Sequence, residues 1–139
     1  ELLFDSLSYH PFLIKPNHHE LGALFHVTIE TKDEAVFYAK QIQEKGARNV
    51  LISMAEQGAV LVTESGETFF AQAPTGTLVY SVGAGDSMVA GFLAGWLQTK
   101  SFSHALKLGI CAGSATAFSS WLATKEEIES LYYSHEKQQ

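Results

Sequence analysis

A layered α/β domain is what this sequence predicts, and three observations carry it. Short apolar runs suited to buried strands alternate with stretches of 3.6-residue periodicity. Capping and turn residues fall between them. The 139 residues are 46% hydrophobic, enough for one core and too few for two.

Residues 1–8 read as the tail of a helix. The chain opens without methionine or a first strand, in the middle of a βαβ unit, so the expectation is that upstream residues were removed. Phe12-Leu13-Ile14 follows as a short buried strand, ended by Lys15-Pro16-Asn17, since Pro16 cannot donate to a ladder. A short helix is expected over 18–25. Thr31-Lys32-Asp33-Glu34 has capping-box spacing. It opens a helix with an apolar stripe of Ala35, Val36, Tyr38, Ala39 and Ile42, closed near Gly46.

Val50-Leu51-Ile52 is the next buried strand. Residues 58–63 and 67–71 form a hairpin across Glu64-Ser65-Gly66. Residues 78–82 are extended and lead into Gly83-Ala84-Gly85-Asp86. Helices are expected from Ser87 to about Gln98, from near Ser103 to about Ser119, and from the capping box at Thr124 to about Tyr133. A polar, frayed tail of 135–139 completes the chain. No repeat, linker or low-complexity tract divides it, so 1–139 is read as one domain.

The net charge of −6, with no Lys/Arg cluster, argues against a nucleic-acid partner. An acidic chain can still bind one anionic small molecule where backbone N–H groups converge. No apolar run approaches the ~18 residues needed to span a bilayer, so no membrane partner is expected. The single cysteine, Cys111, excludes an internal disulfide and fits a cytoplasmic location; it reads as a small buried hydrophobe.

The chemistry concentrates in Ser81-Val82-Gly83-Ala84-Gly85-Asp86-Ser87, where a strand ends, glycines turn the chain and a helix begins. Glycines permit close backbone approach, and the first helical turn offers unpaired N–H groups with partial positive charge. Together they make an anion hole for phosphate. Asp86 at its mouth would repel phosphate but can accept a proton from an attacking hydroxyl. Spacing alone leaves a second reading open, in which Asp86 is only a helix N-cap. There is no Walker Gly-Lys-Ser/Thr, and Met88 stands where a dinucleotide fingerprint needs its third glycine.

Tyr80-Ser81-Val82-Gly83-Ala84-Gly85-Asp86 resembles the Asp-Thr-Val-Gly-Ala-Gly-Asp signature of the ribokinase-like, or PfkB-type, carbohydrate kinases. Tyr80 departs from the acidic or amide residue usual at its position. The resemblance implies that the loop of Gly83, Ala84 and Gly85 holds the transferring phosphoryl group, with Asp86 as the base that activates a sugar hydroxyl. Lys15-Pro16-Asn17-His18-His19-Glu20-Leu21 resembles the family's Asn-x-x-Glu element. By that resemblance Asn17 and Glu20 organise Mg2+ and the ATP phosphates through water, with Lys15 near the phosphates. Ile52-Ser53-Met54-Ala55-Glu56-Gln57-Gly58 resembles the nucleotide loop through Ser53 and Gly58, with Ala55 where glycine is usual. Residues 105–118, with Gly113, resemble the small-residue helix bordering the adenine; Gly91 and Gly95 suit close packing against it.

The implied fold is a ribokinase-like three-layer α/β/α, Rossmann-like sheet. The resemblance covers essentially the whole chain but only the C-terminal, nucleotide-binding and catalytic part of a family member, without the lid and N-terminal half. The motifs most resemble the branch of bacterial 1-phosphofructokinases, with tagatose-6-phosphate kinases as near relatives. The implied substrates are ATP and a phosphosugar. With the sugar-recognition half missing, the chain alone is expected to be inactive, a nucleotide-binding fragment at most. Uncovered apolar surface would favour a homo-oligomer.

Other residues are discounted. His18 and His19, adjacent on a helix, point about 100° apart and make no two-His metal face. His10, His26, His104 and His135 are expected at the surface or in caps. Trp96 and Trp121 read as core or interface anchors. Glu126, Glu127 and Glu129 read as a solvated helix face.

Overall fold

The computed structural model describes residues 2–79, 82–119 and 121–137. These form two compact units: one from residues up to Ala55 together with Ala59–Phe70, the other from Glu56–Gly58 together with everything from Ala71 onward.

The first unit opens with α1 (Leu2–Ser6) and a 3-10 turn, Leu7–Tyr9. His10 closes that turn in the left-handed region, its Nδ1 3.1 Å from the Gly46 carbonyl oxygen. Strand β1 (Leu13–Ile14) pairs parallel with β2 (Asn49–Ser53), Leu13 opposite Asn49 and Ile14 opposite Val50. β2 pairs antiparallel with β3 (Ala59–Val62). β4 (Thr68–Ala71) completes the order β1-β2-β3-β4. The 58–71 hairpin is as the sequence indicates: Thr63 N–H donates to Glu67 O at 2.9 Å, with Gly66 at φ 89° in the turn.

Strands β2 and β3 are buried along nearly their whole length, as their unbroken apolar runs require. Helix α3 (Lys32–Glu44) lays Ala35, Ala39 and Ile42 into the core with Val50, Ile52, Val60 and Val62. Full burial of a side chain such as Ile42 contributes about 1.5–3 kcal/mol. Buried Asn49 is satisfied on both sides: its Nδ2 donates to Phe12 O at 2.8 Å, and its Oδ1 accepts from Glu64 N–H at 3.0 Å. At the head of α3, Thr31 Oγ1 accepts from Glu34 N–H at 3.1 Å. The Glu34 carboxylate takes the Thr31 hydroxyl rather than a backbone amide, so the box is half formed.

In the second unit, α4 (Ala84–Thr99) and α5 (Phe102–Ala117) run antiparallel in close contact. A Cβ on Gly91 would come within 2.7 Å of Ala112 Cβ, and one on Gly95 within 3.0 Å of Ala105 Cα. These two glycines bring the helices together, as their spacing predicts. Helix α6 (Lys125–Lys137) packs on α5. Thr124 caps it, Oγ1 accepting from Glu127 N–H at 3.2 Å, and Glu126, Glu127 and Glu129 are exposed as expected.

Several expectations are corrected here. Helix α4 begins three residues earlier than periodicity places it. Helix α6 runs past Tyr133 through Lys137, and His135 is no frayed surface residue: it is buried, its Nε2 3.1 Å from Gln72 O. Long-range packing of α6 overrides the local polarity of that stretch. Trp121 is 80% exposed, so it is no core anchor, whereas Trp96 stacks on Phe102 at 4.2 Å. Leu78 and Val79 form no regular strand and Val82 already lies in the turn; Tyr80 and Ser81 lie outside the described residues.

Candidate active site

Apart from Gly58, the sequence-predicted residues fall into two groups, one in each unit. In the second unit they gather at the head of α4. Gly83 is the N-cap, at φ 85° and ψ −9°, and having no side chain it makes no side-chain capping bond. That left-handed conformation is what glycine permits and a Cβ resists. Ala84, Gly85 and Asp86 are therefore the first three helical residues, and their amides are the ones an α-helix leaves without an intrahelical acceptor. The Gly83 carbonyl is taken by Ser87 N–H at 2.9 Å.

This placement settles the alternative reading of Asp86. It is not the N-cap; it sits in the first turn with an exposed carboxylate. Among the described residues no hydrogen bond or ion pair engages it. A carboxylate without a partner among the described residues and three amides that the helix leaves without an acceptor thus share one turn. Gly113 packs beneath this turn: a Cβ there would lie 3.0 Å from Ala84 O and 3.3 Å from Met88 Cβ.

In the first unit the predicted residues converge where β2 ends against the head of α2 (His18–Phe25). Ser53 N–H donates to Pro16 O at 3.2 Å, Asn17 bridges to Ser53 in parallel, and His18 Nδ1 lies 3.4 Å from Ser53 O. Asn17 is the N-cap of α2. Its Oδ1 accepts from Glu20 N–H at 2.8 Å, while Asn17 N–H and Nδ2 donate to the two Glu20 carboxylate oxygens, both at 3.1 Å. This is a complete capping box. The same Asn-x-x-Glu spacing that resembles a metal and phosphate element therefore has a local structural role, which sequence reading recognised at Thr31 and Thr124 but missed here.

The donor set at Asn17 and Glu20 is all hard oxygen, the kind Mg2+ takes. Each Glu20 oxygen already accepts one bond from Asn17, and the side chain is exposed, so the carboxylate is open to water on its outer side. That fits holding an ion through water. No cluster of three or more His, Cys, Asp or Glu suited to direct metal binding occurs among the described residues. Lys15 is half-buried and forms no ion pair among them. The His18 and His19 ring centroids lie 3.9 Å apart with the planes tilted by 37°, and no third ligand completes a metal site among the described residues.

Two further positions carry backbone constraints. Gly58, at φ 95°, has no room for a side chain, because a Cβ would collide with Ala71 O. Ala55 holds a left-handed conformation at φ 50° in the 3-10 turn Ala55–Gln57, so the position adopts glycine-like geometry with an alanine in it. Cys111 is fully buried, and burial pushes its thiol up to about 11, as befits a packing residue. Sequence reading also missed Thr116, a buried hydroxyl bonded to Ser87; nothing in local periodicity marks a threonine on a helix as a polar link.

No helix is long and apolar enough to cross a membrane among the described residues. Comparison with known proteins gives one consistent result. Residues 2–128 match the model of the pfkB family carbohydrate kinases, whose members use ATP and a divalent metal. The chain is 50% identical over 131 residues to 1-phosphofructokinase of Bacillus subtilis, covering 94% of this chain and 43% of that protein. It is 38% identical over 129 residues to D-tagatose-1-phosphate kinase of Bacillus licheniformis, covering 92% and 42%. Among solved structures, Arabidopsis thaliana ribokinase complexed with ribose and ATP superposes with a TM-score of 0.78 at 21% identity, covering 87% of this chain and 40% of that one, a likeness of fold. The chain thus spans less than half the length of the proteins it matches. With its ribokinase-like α/β fold and its match over 2–128, this chain belongs to the pfkB family of carbohydrate kinases.

Proposed function

We propose that the protein carrying this chain transfers the γ-phosphoryl group of ATP to the 6-hydroxyl of fructose 1-phosphate, giving fructose 1,6-bisphosphate and ADP. The observation that carries the reading is the head of α4, where the exposed Asp86 carboxylate, without a partner among the described residues, shares one turn with the amides of Ala84, Gly85 and Asp86, which the helix leaves without an acceptor. The 50% identity to a 1-phosphofructokinase supports the choice of sugar.

In this reading Asp86 accepts the proton of the 6-hydroxyl as its oxygen attacks the γ-phosphorus, and the bond to the ADP oxygen breaks. The three amides meet the charge that builds on the phosphoryl oxygens, aided by the partial positive charge of the helix end. Asn17 and Glu20 would hold Mg2+ through water, and Lys15 would add positive charge to the polyphosphate. Mg2+, when bound, neutralises charge on the phosphates. Ser53, Gly58 and Gly113 are assigned to nucleotide binding by their resemblance to the family's nucleotide segments. The 139 residues together are the nucleotide-binding and catalytic part of a cytoplasmic enzyme.

The chain alone turns over no sugar in this reading, because it spans under half of each relative. Self-association is part of the same reading, supported by the exposed Trp121, Leu122, Leu97 and Tyr133; a monomer by sedimentation at high concentration would remove it. The 38% identity to a tagatose-phosphate kinase favours a second reading, phosphorylation of a tagatose phosphate. Steady-state ADP release by the full-length protein with fructose 1-phosphate, tagatose 1-phosphate and tagatose 6-phosphate decides between them. The highest kcat/KM should fall to fructose 1-phosphate. A preference for either tagatose phosphate establishes the second reading, and turnover of none ends both.

A further inference from the structure

The C-terminal half of α5 touches the chain on both sides of the α4 head. Its Ala117 carbonyl accepts from Val79 N–H at 2.9 Å, upstream of the glycine turn. Its Gly113 packs under Ala84 O. Downstream, the Thr116 hydroxyl donates to Ser87 Oγ at 2.8 Å and accepts from Ala123 N–H at 3.1 Å. Thr116 is itself buried, at 2% exposure. Ala123 belongs to the connection between α5 and α6, and the neighbouring Leu122 reaches over the turn, its Cδ2 2.9 Å from where a Gly83 Cβ would stand.

A hydroxyl offers one donor and two acceptor sites. Thr116 spends its donor on the residue directly after Asp86 and an acceptor on the segment that carries Leu122. It therefore joins the first turn of α4 to the α5–α6 connection through a single buried atom. We propose that Thr116 is a positioning residue for phosphoryl transfer: through Ser87 it fixes the azimuth of the first turn of α4, and so the place of Asp86 and the three amides. It touches no substrate. The inference rests on the assignment of Asp86 and those amides to phosphoryl transfer.

Thr116→Val keeps the shape and removes the hydroxyl, while Thr116→Ser keeps the hydroxyl. In the full-length protein, kcat should fall by about tenfold to a hundredfold in Thr116→Val. The KM for ATP should stay within about twofold, since ground-state binding is not what is lost. Thr116→Ser should recover kcat to within about threefold of the parent. Ser87→Ala removes the other end of the bond without emptying a buried site; it should reproduce the kcat loss, and the double variant should be no worse than either single one. Full kcat in Thr116→Val, or equal loss in Thr116→Ser, overturns the proposal.

Asp86→Asn, run alongside, separates the two claims: if it keeps turnover, the catalytic reading fails whatever Thr116 does. Hydrogen exchange at the Ser87 amide, whose bond to the Gly83 carbonyl closes the first turn of α4, reads the positioning without activity. It should quicken by about tenfold in Thr116→Val and stay unchanged in Thr116→Ser. Unchanged exchange in Thr116→Val overturns the proposal by itself.

Discussion

Gly113 on α5 lies directly under the carbonyl of Ala84 on α4, so that a Cβ at position 113 would stand 3.0 Å from that oxygen. The helix carrying the candidate anion cradle is thus set at its height by the absence of a side chain on its neighbour. Gly113→Val should push the two helices apart and destabilise the chain by about 1–3 kcal/mol, the range for overpacking a close contact. Urea denaturation measures this; an unchanged midpoint would mean that the head of α4 floats free of α5.

The capping box at Asn17 and Glu20 leads to a substitution that separates structure from chemistry. Serine is as good an N-cap as asparagine, so Asn17→Ser should hold stability to within about 0.5 kcal/mol, while Asn17→Ala should lose about 1 kcal/mol. Both should lower turnover of the full-length protein if the Asn17 amide contributes to the array around Mg2+ and the phosphates. Full turnover in Asn17→Ser would reduce Asn17 to a cap. Denaturant midpoints and steady-state rates on the same samples give the answer.

Ala55 occupies a left-handed conformation at φ 50°. For a residue with a Cβ that costs about 1–2 kcal/mol, and glycine's extra unfolded-state freedom costs about 0.4–1 kcal/mol in return. Ala55→Gly should accordingly stabilise the chain by roughly 0.5–1 kcal/mol, seen as a rise in the urea midpoint. A fall would mean that packing at Ala55 outweighs its backbone strain.

Much of this molecule is legible in the sequence because its signals are local. The runs at 50–52 and 59–62 are apolar without alternation and become buried strands, and the box at Thr124 opens a helix one residue later. The start of α4 was less legible. Gly83-Ala84-Gly85 has poor helix propensity, so periodicity puts the helix after it, whereas packing on Gly113 and the left-handed Gly83 draw the turn into the helix. His135 and Thr116 were illegible for a different reason. Their partners, Gln72 and Ser87, lie 63 and 29 residues away, beyond the reach of any local pattern. At the candidate site the motif singles out residues 83–86, but only the structure distinguishes an N-cap aspartate from one in the first turn whose carboxylate has no partner among the described residues.

The most direct test is Asp86→Asn in the full-length protein, with ATP affinity and turnover measured together. Removing a general base should lower kcat by about 10²–10⁴, while ATP affinity stays within about threefold because the amides that cradle the phosphates are backbone groups. Turnover close to that of the parent would contradict the role of this carboxylate in drawing the proton from the sugar.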